Sequence, residues 1–178
     1  MSSVRPPVEF VRRVWPVGAL PHYPRDQRTI AYHEAGHAVF CRLLNIPMAR
    51  IEAEQTGGGR VSFAGKYEDK DDLDPLPRET LETAAVELAC MYVAGVMAET
   101  VLHRVNVSGM LLLDTPDWRN AERVLLMAFN STAPLGYCQR LARAVLREQW
   151  EQVEAIAEAL LVKGSLSGDE ARAVADRG

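Results

Sequence analysis

Residues 30–40 read Ile-Ala-Tyr-His-Glu-Ala-Gly-His-Ala-Val-Phe and contain the pattern His-Glu-x-x-His between His33 and His37. At about 3.6 residues per turn, two histidines four positions apart lie on nearly the same face of a helix. Both imidazoles can then reach one metal ion, and Glu34 lies beside them. The stretch predicts a zinc site in which a carboxylate can take a proton from a polarised water molecule.

The helix that carries this pattern is expected to be buried along one stripe. Its three-and-four spacing is typical of a helix face that packs against a core, and it is formed by Ile30, His33, His37, Cys41 and Leu44. The alternative is that the histidines and the glutamate serve solubility alone. We favour the metal site because unpaired imidazoles on a buried face would lose their contacts with water and need partners.

The composition is that of an ordinary globular domain. Of the 178 residues, 48% are hydrophobic and 25% are charged, which suits one domain with its own core. The formal net charge of -4 argues against nucleic acid as a partner. The cysteines at positions 41, 90 and 138 each stand alone in an apolar pattern, so we expect small core residues and no disulfide framework.

The expected location is the cytoplasm. The N-terminus alternates arginine with proline and lacks the apolar core of a signal peptide. The longest nearly apolar run, residues 88–101, is interrupted by Glu99 and is shorter than a membrane span. We therefore expect a soluble protein that does not enter a membrane.

The pattern of start and stop signals predicts a fold that is mainly α with a small β-sheet. Residues 1–24 contain five prolines and form an N-terminal arm, whereas residues 25–178 form a single compact helical domain. Local capping signals favour a first helix from Asp26 to Leu44, a central one over 78–103, a third after Thr115-Pro116, a long one over 135–162 and a short one after Ser167. Two strands are expected at 48–54 and 60–64, on either side of the glycine-rich residues 56–59.

Three features leave alternatives open. The glycines at 57–59 favour a turn, although they could also give a smooth strand edge to which a peptide substrate adds. Asp117 could complement the dipole of its helix or act as a third metal ligand. Glu99 is expected to be either exposed at a helix end or paired near the metal.

Gly95 is expected to allow close packing against a neighbour, and the acidic residues 68–74 are expected to form a solvated loop.

Several segments resemble the peptidase domain of the FtsH proteases. Residues 31–39, Ala-Tyr-His-Glu-Ala-Gly-His-Ala-Val, closely resemble the zinc-peptidase signature of that family. Residues 94–99 resemble its Gly-Arg-Ala-Ala-Glu segment, with Val96 in place of the arginine. Residues 108–121 resemble the loop that leads into Asn-Asp at a helix start, and 160–170 resemble the C-terminal Leu-Asp-Gly-Glu-Glu segment. The resemblance covers about residues 26 to 170, and only the first motif is sharply specific.

The resemblance implies a hydrolase, a zinc-dependent metalloprotease that cleaves peptide bonds in unfolded or flexible polypeptides. His33, His37 and Asp117 would bind Zn2+, and Glu34 would be the general base. Asp117 follows a proline where the family has asparagine, so Glu99 is the next candidate for the third ligand.

The chain also departs from the family pattern. FtsH proteins carry a membrane anchor and an ATPase module ahead of the peptidase, and residues 57–60 here lack the lysine of a phosphate-binding loop. We therefore expect a stand-alone peptidase domain. Two alternatives are a non-catalytic binding or regulatory module and a protease that depends on a separately encoded ATPase or on its own oligomer. The intact Glu34 argues against the first, and an exposed apolar patch would favour the second.

Overall fold

The computed structural model describes residues 26–53, 59–63, 77–105 and 115–177. In these parts of the chain, six helices accompany one three-stranded sheet. The elements are α1 (Gln27–Leu43), β1 (Met48–Ala53), β2 (Gly59–Phe63), α2 (Arg78–Leu102), α3 (Pro116–Phe129), α4 (Leu135–Glu148), α5 (Trp150–Lys163), β3 (Ser165–Ser167) and α6 (Gly168–Ala175). The expected fold class, mainly α with a small sheet, is confirmed. The predicted N-terminal arm, the turn before Gly59, the acidic loop and the connection at 108–113 lie outside the described residues.

Helix α1 begins where its cap predicts. The side chain of Asp26 accepts a hydrogen bond from the backbone N–H of Thr29 at 2.7 Å, and this contact lowers the pKa of the Asp26 carboxyl. The burial is wider than the predicted stripe, because every residue from Thr29 to Cys41 is buried. Small residues make this possible: a Cβ on Gly36 would lie 2.8 Å from Ala98 Cβ in α2. Helix α1 is therefore a central element.

Helix α2 is the second central element, and it packs against α1, α3 and α4. By length and apolar composition it is the one described helix that could cross a membrane, yet 72% of its most apolar window is buried inside the protein. Burial of that extent is typical of a core helix. The bounds match the predicted helix over 78–103 to within one residue.

The sheet has the order β2-β1-β3, and both pairs of strands are antiparallel. Ile51 at the centre of β1 is opposite Val61 on one side and Leu166 on the other. The two predicted strands are confirmed over the described residues. Strand β3 was not predicted, because three residues are too few to show a period. The order of strands leaves β2 at an edge of the sheet.

The single long helix predicted over 135–162 is wrong. The helix is interrupted at Gln149, where φ is -102° and ψ is 20°, and the side chain of Gln149 accepts a hydrogen bond from the Gln152 amide at 2.7 Å. The two halves pack against different helices: α4 packs on α2, whereas α5 packs on α1. Neither proline nor glycine marks the break, so packing and not local propensity separates the halves. The predicted stop is confirmed: α5 ends at Lys163, and Gly164 follows with a φ of 76°.

Candidate metal centre

The imidazoles of His33 and His37 meet on one face of α1. Their Nε2 atoms are 3.1 Å apart, and the ring planes cross at 71° with centroids 4.8 Å apart. Both residues are 5% exposed, so this meeting point is sealed from bulk water on most sides. The spacing predicted by the His-Glu-x-x-His pattern is therefore realised by the fold.

The other ring nitrogen of each histidine has an acceptor as its partner. The Nδ1 of His33 lies 2.5 Å from Glu99 Oε1, and the Nδ1 of His37 lies 2.8 Å from the carbonyl oxygen of Met91. A carboxylate and a carbonyl only accept, so each Nδ1 carries the proton and donates it. Each Nε2 therefore keeps a lone pair that is directed at the other histidine. This arrangement is the one that metal-binding histidines use.

Asp117 comes to the same point from the first turn of α3. That helix starts as predicted, because the Thr115 hydroxyl accepts a hydrogen bond from Trp118 N at 3.2 Å and Pro116 follows the cap. The Oδ2 atom of Asp117 is 3.5 Å from His33 Nε2 and 3.6 Å from His37 Nε2. Its side chain is 35% exposed, so the site is open to solvent on the side of α3.

The three ligand atoms fit a tetrahedral metal ion. Zinc bonds of about 2.0–2.1 Å to nitrogen and oxygen imply ligand atoms about 3.3 Å apart. The three separations are 3.1, 3.5 and 3.6 Å. The group formed by His33, His37 and Asp117 could therefore hold a metal ion. Three acceptors facing one another would repel without positive charge between them, which either a metal ion or a proton on His33 provides.

The electrostatics of the group favour positive charge at its centre. Burial lowers the pKa of His33, but the hydrogen bonds with Asp117 and Glu99 outweigh it and raise that pKa to about 9. Burial likewise works to raise the pKa of Asp117, and the contacts with His33 and His37 hold it well below the usual range. Both shifts have the same origin, a pair of carboxylates around two imidazoles.

Gly95 of α2 provides the space in which the two rings meet. A Cβ at this position would lie 2.5 Å from both His33 Cδ2 and His37 Nε2. Contacts that short do not occur, so any side chain here would displace an imidazole. The predicted close packing at Gly95 is confirmed, and the neighbours are His33 and His37.

Glu34 lies beside the same centre and faces a cleft of about 560 Å³. The carboxylate is packed under β2, where a Cβ on Gly59 would lie 2.7 Å from Glu34 Cγ. The cleft is lined by Glu34 and His37 of α1, residues 59–62 of β2, Met91 and Tyr92 of α2, and Pro116, Asp117 and Asn120 of α3. Glu34 is 5% exposed and so presents a carboxylate to a confined space.

The structure brings all four predicted site residues together and resolves the ambiguity at Glu99. Glu99 is 2% exposed and contacts the outer nitrogen of His33, whereas Asp117 contacts the inner nitrogens of both histidines. Glu99 is therefore the partner of His33 and lies outside the group of His33, His37 and Asp117 that could hold a metal ion. Sequence reasoning missed the carbonyl of Met91, since a backbone acceptor has no residue signature. It also missed Tyr92, which lines the cleft and belongs to no motif.

The sequence matches no protein-family model and no curated protein. A functional argument must therefore come from the residues and their geometry.

Proposed function

We propose that this chain is a zinc-dependent endopeptidase that hydrolyses peptide bonds in unfolded or flexible polypeptides. The observation that carries the proposal is the convergence of His33, His37 and Asp117 at tetrahedral separations beside Glu34. Two imidazoles and one carboxylate are a ligand set that suits zinc, and magnesium or calcium would take oxygen ligands instead. Three protein ligands leave a fourth position open, as catalytic zinc sites require.

A bound zinc ion would supply the Lewis-acid chemistry, polarising the scissile carbonyl and lowering the pKa of a water molecule. Glu34 supplies the base. Its carboxylate shares the cleft with His37 and Asp117, and it follows His33 directly in the helix, so it can take the proton of the attacking water. The same carboxyl then returns that proton to the leaving amine. Gly59 keeps Glu34 in place, because a larger residue there would collide with the carboxylate.

Strand β2 supports a polypeptide as the substrate. It pairs with β1 on one side, residues 59–62 line the cleft on the other, and within the described residues it has no second partner strand. An extended peptide can add to such an edge through backbone hydrogen bonds. Only a chain whose own backbone groups are free can do so, which selects unfolded or flexible segments. This placement supports the edge interpretation for Gly59, the one of these glycines that the structure describes.

The likeness of residues 31–39 to the FtsH signature supports the same proposal, with the cytoplasm as the place of action and Zn2+ as the cofactor. One observation supports a dependence on an ATPase or on a second copy of the chain. Leu126 and Met127 on α3 are neighbours in sequence, and they are 49% and 41% exposed. No observation supports a non-catalytic binding module, since Glu34 would have no role in it.

The test compares the full chain with its Glu34→Gln variant. Zinc content is measured by mass spectrometry of the purified protein, and hydrolysis is followed on a reduced, alkylated polypeptide. We expect about one zinc per chain in both proteins, with hydrolysis by the wild type alone. Glu122→Gln, on the surface of α3, is the matched control and should cleave as the wild type does.

Two other results separate the alternatives. Zinc without wild-type hydrolysis of any unfolded substrate would contradict an autonomous protease and leave the binding module or the partner-dependent enzyme. Equal hydrolysis by the wild type and Glu34→Gln would remove Glu34 as the base. Absence of zinc at saturating metal would contradict the proposal as a whole.

A further inference from the structure

We propose that Tyr92 is a catalytic residue of this site, and that its phenol donates a hydrogen bond to the scissile carbonyl oxygen as negative charge develops there. The inference rests on the proposed peptidase function and adds a second chemical group to it. No motif marks this residue. Tyr92 reaches the cleft because α2 forms part of its wall.

The backbone at Tyr92 is fixed relative to the metal-binding histidines. The preceding residue, Met91, accepts a hydrogen bond from His37 Nδ1 through its carbonyl at 2.8 Å. Tyr92 itself is half-buried and lines the same cleft as Glu34 and Asp117. A helix that is tied to His37 therefore places Tyr92 in the wall of the cleft in which a substrate carbonyl would lie.

The hydroxyl of Tyr92 is available as a donor. It makes no hydrogen bond with any described residue, whereas the hydroxyl of Tyr32 both accepts from Arg28 and donates to Glu158. Half-buried phenols usually have a partner. A tyrosine phenol has an ordinary pKa of about 10, so the hydroxyl keeps its proton at neutral pH.

The other polar groups of the cleft are less suited to this role. The Asn120 side chain accepts a hydrogen bond from the Arg123 guanidinium through Oδ1 at 3.4 Å, and its amide N–H groups make Asn120 the second candidate donor. Arg60 is exposed on the edge strand, where water screens its charge. Ser62 lies on the same strand, along which a substrate backbone would pair. Tyr92 is preferred to Asn120 because its helix is tied to the histidines through the Met91 carbonyl and because its hydroxyl has no partner among the described residues.

The step balances without a further reactant. The water oxygen forms a bond to the carbonyl carbon, Glu34 takes one proton from that water, and the carbonyl π electrons move onto the carbonyl oxygen. Tyr92 donates a hydrogen bond to this oxygen and keeps its own proton. When the C–N bond breaks, the electron pair goes to nitrogen, Glu34 returns the proton to it and the carbonyl re-forms. A donor that acts only on the developing charge lowers the barrier without tightening ground-state binding.

The experiment is steady-state hydrolysis of a fluorogenic unfolded peptide by the zinc-loaded full chain and its Tyr92→Phe variant. We expect kcat to fall roughly 100-fold, as when one oxyanion donor is lost elsewhere, with KM within about twofold. Zinc content and the thermal unfolding midpoint should not change. Tyr137→Phe, an exposed tyrosine on α4, is the matched control and should retain wild-type kcat.

A binding measurement separates the transition state from the ground state. A phosphinic peptide, whose tetrahedral oxygens mimic the developing charge, should bind Tyr92→Phe at least about tenfold more weakly than wild type. Affinity for the uncleaved peptide, measured in Glu34→Gln with and without Tyr92→Phe, should be the same.

The outcomes that overturn the proposal are distinct from those that overturn the peptidase. Wild-type hydrolysis that is lost in Glu34→Gln but unchanged in Tyr92→Phe would remove Tyr92 and leave the peptidase standing. A rise in KM with kcat unchanged would make Tyr92 a binding residue only. A 100-fold loss of kcat in Asn120→Ala, with none in Tyr92→Phe, would give the role to Asn120. Without wild-type hydrolysis, both proposals fall.

Discussion

The two nitrogens of the His33 ring have different partners, and each partner comes from a different helix. Glu99 of α2 accepts from Nδ1, and Asp117 of α3 lies 3.5 Å from Nε2. An outer carboxylate of this kind orients the ring and makes the inner nitrogen a stronger ligand. In the proposed zinc site, the affinity of His33 for the metal would therefore depend in part on Glu99, which would not touch the ion.

We expect Glu99→Gln to weaken zinc binding about 10- to 100-fold while the protein stays folded. The amide can still accept from His33 Nδ1, but it lacks the negative charge that increases the basicity of the imidazole. Competition with a chelator of known zinc affinity measures the change. Glu87→Gln, exposed on the same helix, is the control, and equal affinities in all three proteins would show that Glu99 does not support the ligand.

Gly95→Ala tests the space between the two imidazoles. In an ordinary helix this change stabilises by about 1 kcal/mol. Here the added methyl group would occupy the place of the His33 and His37 rings, so we expect zinc binding to fall at least about tenfold with helix content unchanged. Zinc titration and far-UV circular dichroism provide the two readouts. A more stable protein with full zinc affinity would contradict the geometry.

The positions of these residues could be predicted from the sequence to different degrees. The spacing of His33 and His37 is local and sufficed for the ligand pair, since a helix leaves little choice of geometry. Asp117 lies 80 positions further on: its place in a first helical turn left two roles open, and the resemblance to a family favoured the metal ligand. Whether Glu99 would bind the metal or a histidine could not be predicted, because that choice depends on which ring nitrogen faces α2.

Helices with local start signals were predicted well. Asp26 caps α1, Thr115 caps α3, and Ser167 with Glu170 forms the capping box of α6. Each signal acts within one turn, so the sequence contains it. The break at Gln149 and strand β3 depend on contacts with distant elements instead. These are the two places where the expected elements were wrong or missing.

The cap of α3 also places a metal ligand, because Asp117 lies two residues after Thr115. We expect Thr115→Ala to reduce the free energy of unfolding by about 1 kcal/mol and to weaken zinc binding as the first turn loosens. Ser167→Ala removes an equivalent cap from α6 and is the matched control. It should lower stability by a similar amount without affecting zinc. Chemical denaturation and zinc titration of both variants decide the point, and equal zinc affinities would show that the cap does not hold Asp117.

The molecule as a whole is organised around α1, which is buried between α2, α5 and the sheet. The candidate metal centre lies where α1 meets α2 and α3, so its ligands come together only when these helices pack. Metal binding should therefore be coupled to folding. The expected role of the cysteines as small core residues is confirmed, since Cys41, Cys90 and Cys138 are buried and free.

Thiol reactivity reports on the integrity of this core. Burial raises the pKa of Cys41 to about 12, and contact with Cys138 together with burial raises that of Cys90. The contact with Cys90 lowers the pKa of Cys138, but this thiol is buried as well, so we expect iodoacetamide to alkylate none of the three cysteines at pH 8 in the native protein. All three cysteines should react in denaturant, as counted by mass spectrometry. Rapid alkylation of Cys41 without denaturant would show that α1 is not buried as described.

The most direct measurement is anomalous diffraction at the zinc edge from crystals of the zinc-loaded chain. We expect one peak about 2.0–2.1 Å from the Nε2 atoms of His33 and His37 and about 2.0–2.2 Å from a carboxylate oxygen of Asp117. Glu99 should remain on His33 Nδ1, and Glu34 should lie near the fourth position without binding the ion. The absence of a peak at saturating zinc, or a peak bound by other residues, would contradict the metal centre.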